Sequence, residues 1–483
     1  MKKETVIAIS IIVVLVGSLL YILFTIQTPV TLPTVKPKGN FTLMIATTWS
    51  QWHIDDFKQW MFYVSGQGLG GVLVKAPATQ ELGIKTLEFI RENDLTRWVE
   101  LARSGNISGF TALPMARYNA TWLCEQGAFK PIEDPTILEL AKKLPAVFKD
   151  YTSDGKLCWI ATDFVTVNNW FINAKAAEEL GVPVPSSWEE LLDPKYASVL
   201  LNNGYIAVIG GVDRDPIRAA FHVLLQKYGW NKGWVYITYL AGTSYLARSL
   251  PEARDDVIYQ YEKVILTILD LERALLGLPY SKDLRLVFPK EATAIRVSPI
   301  GIAKAANEDA TEGMYRLIRY LLSEGQNEIY MKRWQSVFPV LPTNHTSTYI
   351  VYQEPATKNV YLEFNEKIMV DLQEATDVYT EVLFKDSDVH KLLRNIIKFL
   401  AEKYQKGEID LNKYYEFLGR VGEPVEFTNP LTNTKTRFSM DVSSQLAEAL
   451  KTGSLQKHAL YAAFKEALLA KLQQIALELG AQL

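Results

Sequence analysis

The residues able to do chemistry are few and dispersed. His53, His222, His345, His390 and His458 form no His-Glu-x-x-His pair, and Cys124 and Cys158 make no Cys-x-x-Cys zinc spacing. The chain has no glycine-rich phosphate loop ending in lysine and no Gly-x-Ser-x-Gly nucleophile elbow. A charged cluster stands at Asp213-Arg214-Asp215-Pro216-Ile217-Arg218. Paired carboxylates are the apparatus of a glycosidase. Two residues apart at the start of a helix, Asp213 and Asp215 suit a surface charge and a cap better. The expectation is a protein that is not an enzyme and carries no cofactor or metal.

The elements that must position this cluster run from Pro185 to Gly229. Ser186 followed by Glu189 has the spacing of a capping box for a helix through Leu192, which Pro194 stops. Tyr205 to Ile209 is β-branched and apolar, as a buried strand is, and Gly210-Gly211 ends it. Asp215 offers an N-cap with Pro216 at the first helical position. Ile217, Phe221, Leu224 and Tyr228 then recur at helical spacing up to Gly229. The turn therefore lies at the carboxyl end of a buried strand, where open α/β sheets bind ligands.

At these residues a resemblance emerges. SWEELLDPKYASVL and YGWNKGWVYITYLAG resemble the second lobe of extracellular solute-binding proteins of ABC importers, of the ferric-iron and thiamine type and especially its archaeal branch. GNISGFTALPMARYNATWLCEQGAFKPIED is similar to the segment after that family's third first-lobe strand. VFPKEATAIRVSPIGIAKAANEDATEGMYRLIRYLLSEGQ resembles the return into the first lobe, and GEPVEFTNPLTNTKTRFSMD a late hairpin. The resemblance implies an α/β, two-lobed periplasmic-binding-protein-like (type II) fold that closes about a hinge on a small solute and presents it to an ABC permease. Ligand contacts should then come from loops at strand ends. These are Thr48 and Trp49; Thr111, Ala112 and Leu113; Thr166, Asn168 and Asn169 at the crossover; Asp213, Arg214 and Arg218 at the crossover helix; and Tyr245 and Tyr259 beyond it.

The chain also departs from the family's pattern. The turn at Thr111-Ala112-Leu113-Pro114 is glycine-rich in the family, which lets backbone approach the solute. Asp215-Pro216-Ile217 stands where a serine-glycine-serine run leaves free amides for an anion. Two glycines expected near Tyr259–Glu262 and in the following helix are also missing. These changes disfavour a phosphate-like or carboxylate ligand. Either the solute differs, or the cleft is filled and the protein is a non-binding surface scaffold or permease-associated subunit.

Length, charge and termini complete the outline. The chain of 483 residues has room for two or three domains, and a net charge of −3 with no basic stripe excludes an electrostatic case for nucleic acid. Thr5 to Ile26 gives 22 residues without a charge, enough to cross a bilayer, and no small-residue cleavage site follows. The expected layout is an anchor at 1–26, a Pro-rich linker at 27–40, and a first lobe from 41–162 and 285–345. A second lobe takes 163–284, and a mainly helical extension with a hairpin takes 346–483. That layout places a single-pass protein in the cell membrane with its large domain outside, where sequons at Asn40, Asn106, Asn119 and Asn344 also fit. Cys124 and Cys158 suit either one disulfide or two buried thiols.

Overall fold

Short β-branched and aromatic runs bounded by glycine and asparagine become the strands of two sheets. The computed structural model describes residues 39–62, 77–92, 94–112, 117–325, 337–341 and 364–481. The expected anchor, most of the linker, Leu113, Pro114 and the sequon at Asn344 lie outside the described residues. Among the described residues no helix is long and apolar enough to cross a membrane.

The chain first lays down β1 (Phe41–Thr47), β2 (Ile84–Arg91), β3 (Gly109–Thr111), β4 (Phe129–Lys130), β5 (Lys149–Tyr151) and β6 (Leu157–Val167). It then crosses to a second sheet made of β7 (Asn169–Asn173), β8 (Tyr205–Ile209), β9 (Ser244–Leu246), β10 (Val264–Leu269) and β11 (Leu284–Val287). β12 (Ala294–Ala303) and β13 (Phe338–Pro339) return to the first sheet. Strand order is β13-β6-β12-β3-β1-β2 in the first sheet and β11-β7-β10-β8-β9 in the second. Alternating strands and helices suggest mostly parallel sheets, but only one side of each is parallel. The β1 pairs with β2 and β3 and the β8 pairs with β9 and β10 are parallel, whereas the strands that carry the chain between sheets run antiparallel to their neighbours. The crossings lie at Asn168 and at 288–293, a few residues beyond the boundaries read at 162/163 and 284/285.

Helices flank both sheets: α1 (Gln51–Phe62), α2 (Leu95–Ser104) and α3 (Arg117–Glu125) in the first lobe, then α4 (Asp215–Lys227), α5 (Trp230–Thr243) and α6 (Leu250–Tyr259) in the second. After α7 (Glu308–Leu321) the described residues hold five helices: α8 (Glu366–Lys385), α9 (Ser387–Gln405), α10 (Leu411–Gly422), α11 (Met440–Lys451) and α12 (Lys457–Leu479). The hairpin β14 (Glu426–Asn429) and β15 (Thr434–Arg437) sits between α10 and α11. On α9, Val389, Leu393, Ile396, Ile397 and Leu400 recur at helical spacing and are buried.

This extension shares its core with the second lobe. Tyr379 of α8 meets Trp234 of α5 edge-on at 4.7 Å, and Phe438 and Phe464 at 4.7 and 5.0 Å. The Trp230 indole donates to the Phe438 carbonyl at 2.7 Å. Packing of α10 on α5 is close enough to require glycine: a Cβ added to Gly422 would lie 2.4 Å from the Val235 Cα. In the first lobe a disulfide joins Cys124 of α3 to Cys158 of β6.

Two stability measurements follow from this packing. In urea unfolding, Gly422→Val should cost about 1–3 kcal/mol by overpacking. Gly419→Ala, one turn earlier with nothing within 4 Å of the new methyl, should be neutral or gain up to about 1 kcal/mol. Equal losses at both positions would contradict the close approach. Replacing both cysteines by alanine opens a loop with a sequence separation of 34 and should cost roughly 3 kcal/mol.

Candidate functional site

The end of β8 and the helix that follows form where the sequence places them, but the expected cap of that helix does not. Gly210-Gly211 turns the chain, Gly211 with φ 108°, a conformation that side chains resist. α4 then starts at Asp215, with Pro216 in its first turn and Arg214 in the capping position without a side-chain cap bond. The expected Asp215 cap is therefore absent. The Asp215 carboxylate instead takes a two-pronged grip from the Arg296 guanidinium on β12, Nη2 to Oδ1 at 2.9 Å and Nη1 to Oδ2. Upstream, the cap is Ser187, whose hydroxyl accepts from the Glu190 amide at 3.2 Å, one residue later than the spacing of Ser186 and Glu189 indicates. Pro194 opens the next short helix, Pro194–Ala197, behind an Asp193 cap.

Arg296 carries the site. Its Nε donates at 2.6 Å to Glu366, the first residue of α8, so one guanidinium from the first sheet is held by two carboxylates. Burial opposes the Arg296 charge, yet the Asp215 hydrogen bond and the Glu366 charge hold its pKa above the ordinary value. Burial also presses the Asp215 carboxyl upward, but Arg296 and Arg218 together hold it below the usual carboxylate range. Along α4, the Arg218 guanidinium forks onto Asp377 of α8, Nη2 to Oδ2 at 2.6 Å and Nε to Oδ1 at 3.0 Å. Lys385 lies 3.8 Å from Asp213. Burial pushes the Asp377 carboxyl up, more than the Arg218 hydrogen bond and charge bring it down, and Glu374 and Glu381 add a smaller upward push. His222 is buried against Thr376 at 3.1 Å, and burial drives its pKa down to about 3.

At the crossings, Asn168 adopts φ 65°, which asparagine tolerates better than most residues. Its side-chain amide donates to the Ala292 carbonyl at 2.6 Å, tying one crossing strand to the other. Asn169 donates to the Thr166 carbonyl at 2.8 Å and to that of Leu269 at 3.2 Å. Thr166, Asn168 and Asn169 are thus wholly buried parts of the hinge.

The remaining sequence candidates fall into groups. Thr48, Trp49, Thr111 and Ala112 come together at the carboxyl ends of neighbouring β1 and β3. Trp49 is buried between Phe57 and Phe89, with ring centroids at 5.0 and 5.5 Å, while Trp52 nearby on α1 is 61 % exposed. Asp213, Arg214 and Arg218 gather at the end of β8. Tyr245 turns back along the sheet, its ring 4.7 Å from Tyr205 and its hydroxyl donating to Asp256 at 3.0 Å. Tyr259 lies at the opposite end of the second sheet, just before β10, clustered with Tyr261 and Tyr280. Sequence reading missed Arg296, Glu366 and Asp377. The signal for Arg296 is a lone guanidinium inside the apolar run Ala292–Ile302; Glu366 and Asp377 carry none. Among the described residues no group of three His, Cys, Asp or Glu side chains could hold a metal ion.

A family model described as bacterial extracellular solute-binding protein matches residues 114–360, just over half of the chain. Among solved structures, the chain is similar to a Bordetella ferric binding protein at 15% identity and TM-score 0.48, covering 71% of this chain and 98% of that one. It is also similar to an ABC transporter from Clostridium perfringens, at 15% identity, TM-score 0.48 and coverage of 68% and 96%. A ferric iron-binding protein of Mannheimia haemolytica in an open conformation is similar at 13% identity, TM-score 0.45 and coverage of 68% and 98%. No curated protein sequence matches the chain.

The Asp215–Arg296 pair sets a pH dependence. A carboxylate whose pKa is depressed on folding adds stability that is present above the unfolded value and lost as pH falls through the folded one. Asp215→Asn should therefore cost about 1–2 kcal/mol near neutrality, between an exposed and a buried pair. In urea unfolding across pH, the gap to the parent should close below about pH 4. A gap independent of pH would show that the carboxylate charge is not what holds Arg296.

Proposed function

The chain belongs to the bacterial extracellular solute-binding protein family, and on that premise we propose that it captures a small uncharged solute between two lobes and delivers it to an ABC permease. Solute-binding proteins of this kind act by hinge closure, without covalent chemistry. The site residues proposed are Thr48, Thr111 and Ala112 from the first lobe and Asp213, Arg214 and the start of α4 from the second. Tethering is assigned to the apolar stretch Thr5–Ile26, with the bulk of the chain outside the cell.

One observation favours an uncharged solute. Three of the cations around the start of α4 are held by the chain's own carboxylates: Arg218 by Asp377, Arg296 by Asp215 and Glu366, and Lys385 by Glu381 and Asp213. An anion arriving there would have to displace the chain's own carboxylates from their guanidinium partners, losing charge-assisted hydrogen bonds as strong as those it makes. Hydroxyls and backbone amides at strand ends suit a polar neutral molecule. The exposed Trp52, one turn beyond the β1 loop, suits the apolar face of a sugar ring. The same pairing is also what a non-binding scaffold would show, which keeps that second reading in play.

Thermal unfolding against a panel separates these readings. A solute held only by the folded protein stabilises it by about 2.7 kcal/mol at one hundred times its Kd. Neutral mono- and oligosaccharides should contain at least one that raises Tm, and Trp52→Ala should weaken that shift by roughly tenfold in concentration. Shifts confined to phosphate, citrate or a metal would overturn the neutral-solute reading. A panel with no response at all would favour the scaffold.

A further inference from the structure

We propose that the C-terminal extension is a built-in latch between the lobes, acting through Glu366 on Arg296. α8 is fastened to the second lobe along its whole length. Asn365 and Gln226 exchange hydrogen bonds at 2.7 and 2.9 Å, Thr376 meets His222, Asp377 holds Arg218, and Lys385 approaches Asp213. The aromatic cluster of Trp234, Tyr379 and Phe438 locks the same helix to α5. Glu366 therefore moves with the second lobe, as does Asp215 on α4. Arg296 belongs to the other body: it lies on β12, paired with Val165 of β6 in the first sheet, just past the crossing at 288–293. α8 also touches α3 of the first lobe.

Two carboxylates on one lobe thus grip one guanidinium on the other, beside the hinge. The Arg296 side chain keeps only 13% of its surface, so taking it away from Asp215 and Glu366 leaves its buried charge unmet. Parting the lobes at this point breaks the grip unless Glu366 or Asp215 travels with Arg296. The arrangement biases the protein toward the clasped state before any solute arrives. Without α8 this chain would keep only the Asp215 half of the contact. The latch rests on the two-lobed reading but not on any solute.

Double electron–electron resonance on the full-length chain, without added solute, tests it. Spin labels at the exposed positions Glu139 and Lys232 report the separation of the lobes. The parent should give one narrow distance. Glu366→Gln keeps the shape and loses the charge; Arg296→Lys keeps the charge and loses the fork. Each should shift the clasped-to-open ratio roughly tenfold and add a longer distance. Asp371→Asn, which breaks only the exposed pair with Lys367 further along α8, should leave the parent distribution unchanged. The latch is overturned if both latch variants keep the parent distance, or if Asp371→Asn broadens it equally. Because no solute is present, failure here leaves solute capture to be judged by the thermal panel.

Discussion

A guanidinium that loses most of its water must be met by carboxylates, and the surroundings of Arg296 are arranged by that requirement. Asp215 turns away from its own helix to meet Arg296. α4 consequently starts without a side-chain cap, and α8 presents its first residue at the same guanidinium. One interaction therefore joins the strand returning from the hinge, the crossover helix of the second lobe and the C-terminal extension. The electrostatics beside the end of β8 follow from this contact, since Arg218 and Arg296 already have carboxylate partners within the chain.

The mechanical frame is equally local. The chain changes sheets at one asparagine in a left-handed conformation and again over six residues, and the Asn168 amide holds the two passages together. Closely packed sheets and helices on either side resist bending, so relative motion concentrates at these crossings. The extension adds mass to one side only. Its aromatic core is continuous with that of the second lobe, and Gly422 lets α10 come within backbone contact of α5. The moving bodies are then a smaller first lobe and a second lobe enlarged by five helices.

Much of this was legible in the sequence where short-range chemistry decides. The strand Tyr205–Ile209 with its Gly-Gly stop and the hairpin around Asn429–Thr434 follow from residues within a turn of one another. The capping signal near Ser187 was right in kind and displaced by one, because two adjacent serines and two adjacent glutamates offer the same spacing twice. What could not be read is what depends on distant partners. Asp215 looks like a cap until an arginine 81 residues away takes its carboxylate. Tyr245 and Tyr259 looked like loop aromatics, yet the sheet directs one back toward Tyr205 and leaves the other at the far end of the lobe. Propensity describes the element, and the long-range pairing decides which way a side chain faces.

The most direct measurement is native mass spectrometry of the protein purified gently from its own source. With Arg218 and Arg296 already engaged by internal carboxylates, the expected spectrum shows a retained neutral small molecule that leaves on mild activation. A retained phosphate, carboxylate or ferric ion would contradict the charge balance at Asp215 and Arg296, and bare polypeptide under every gentle condition would contradict solute capture itself.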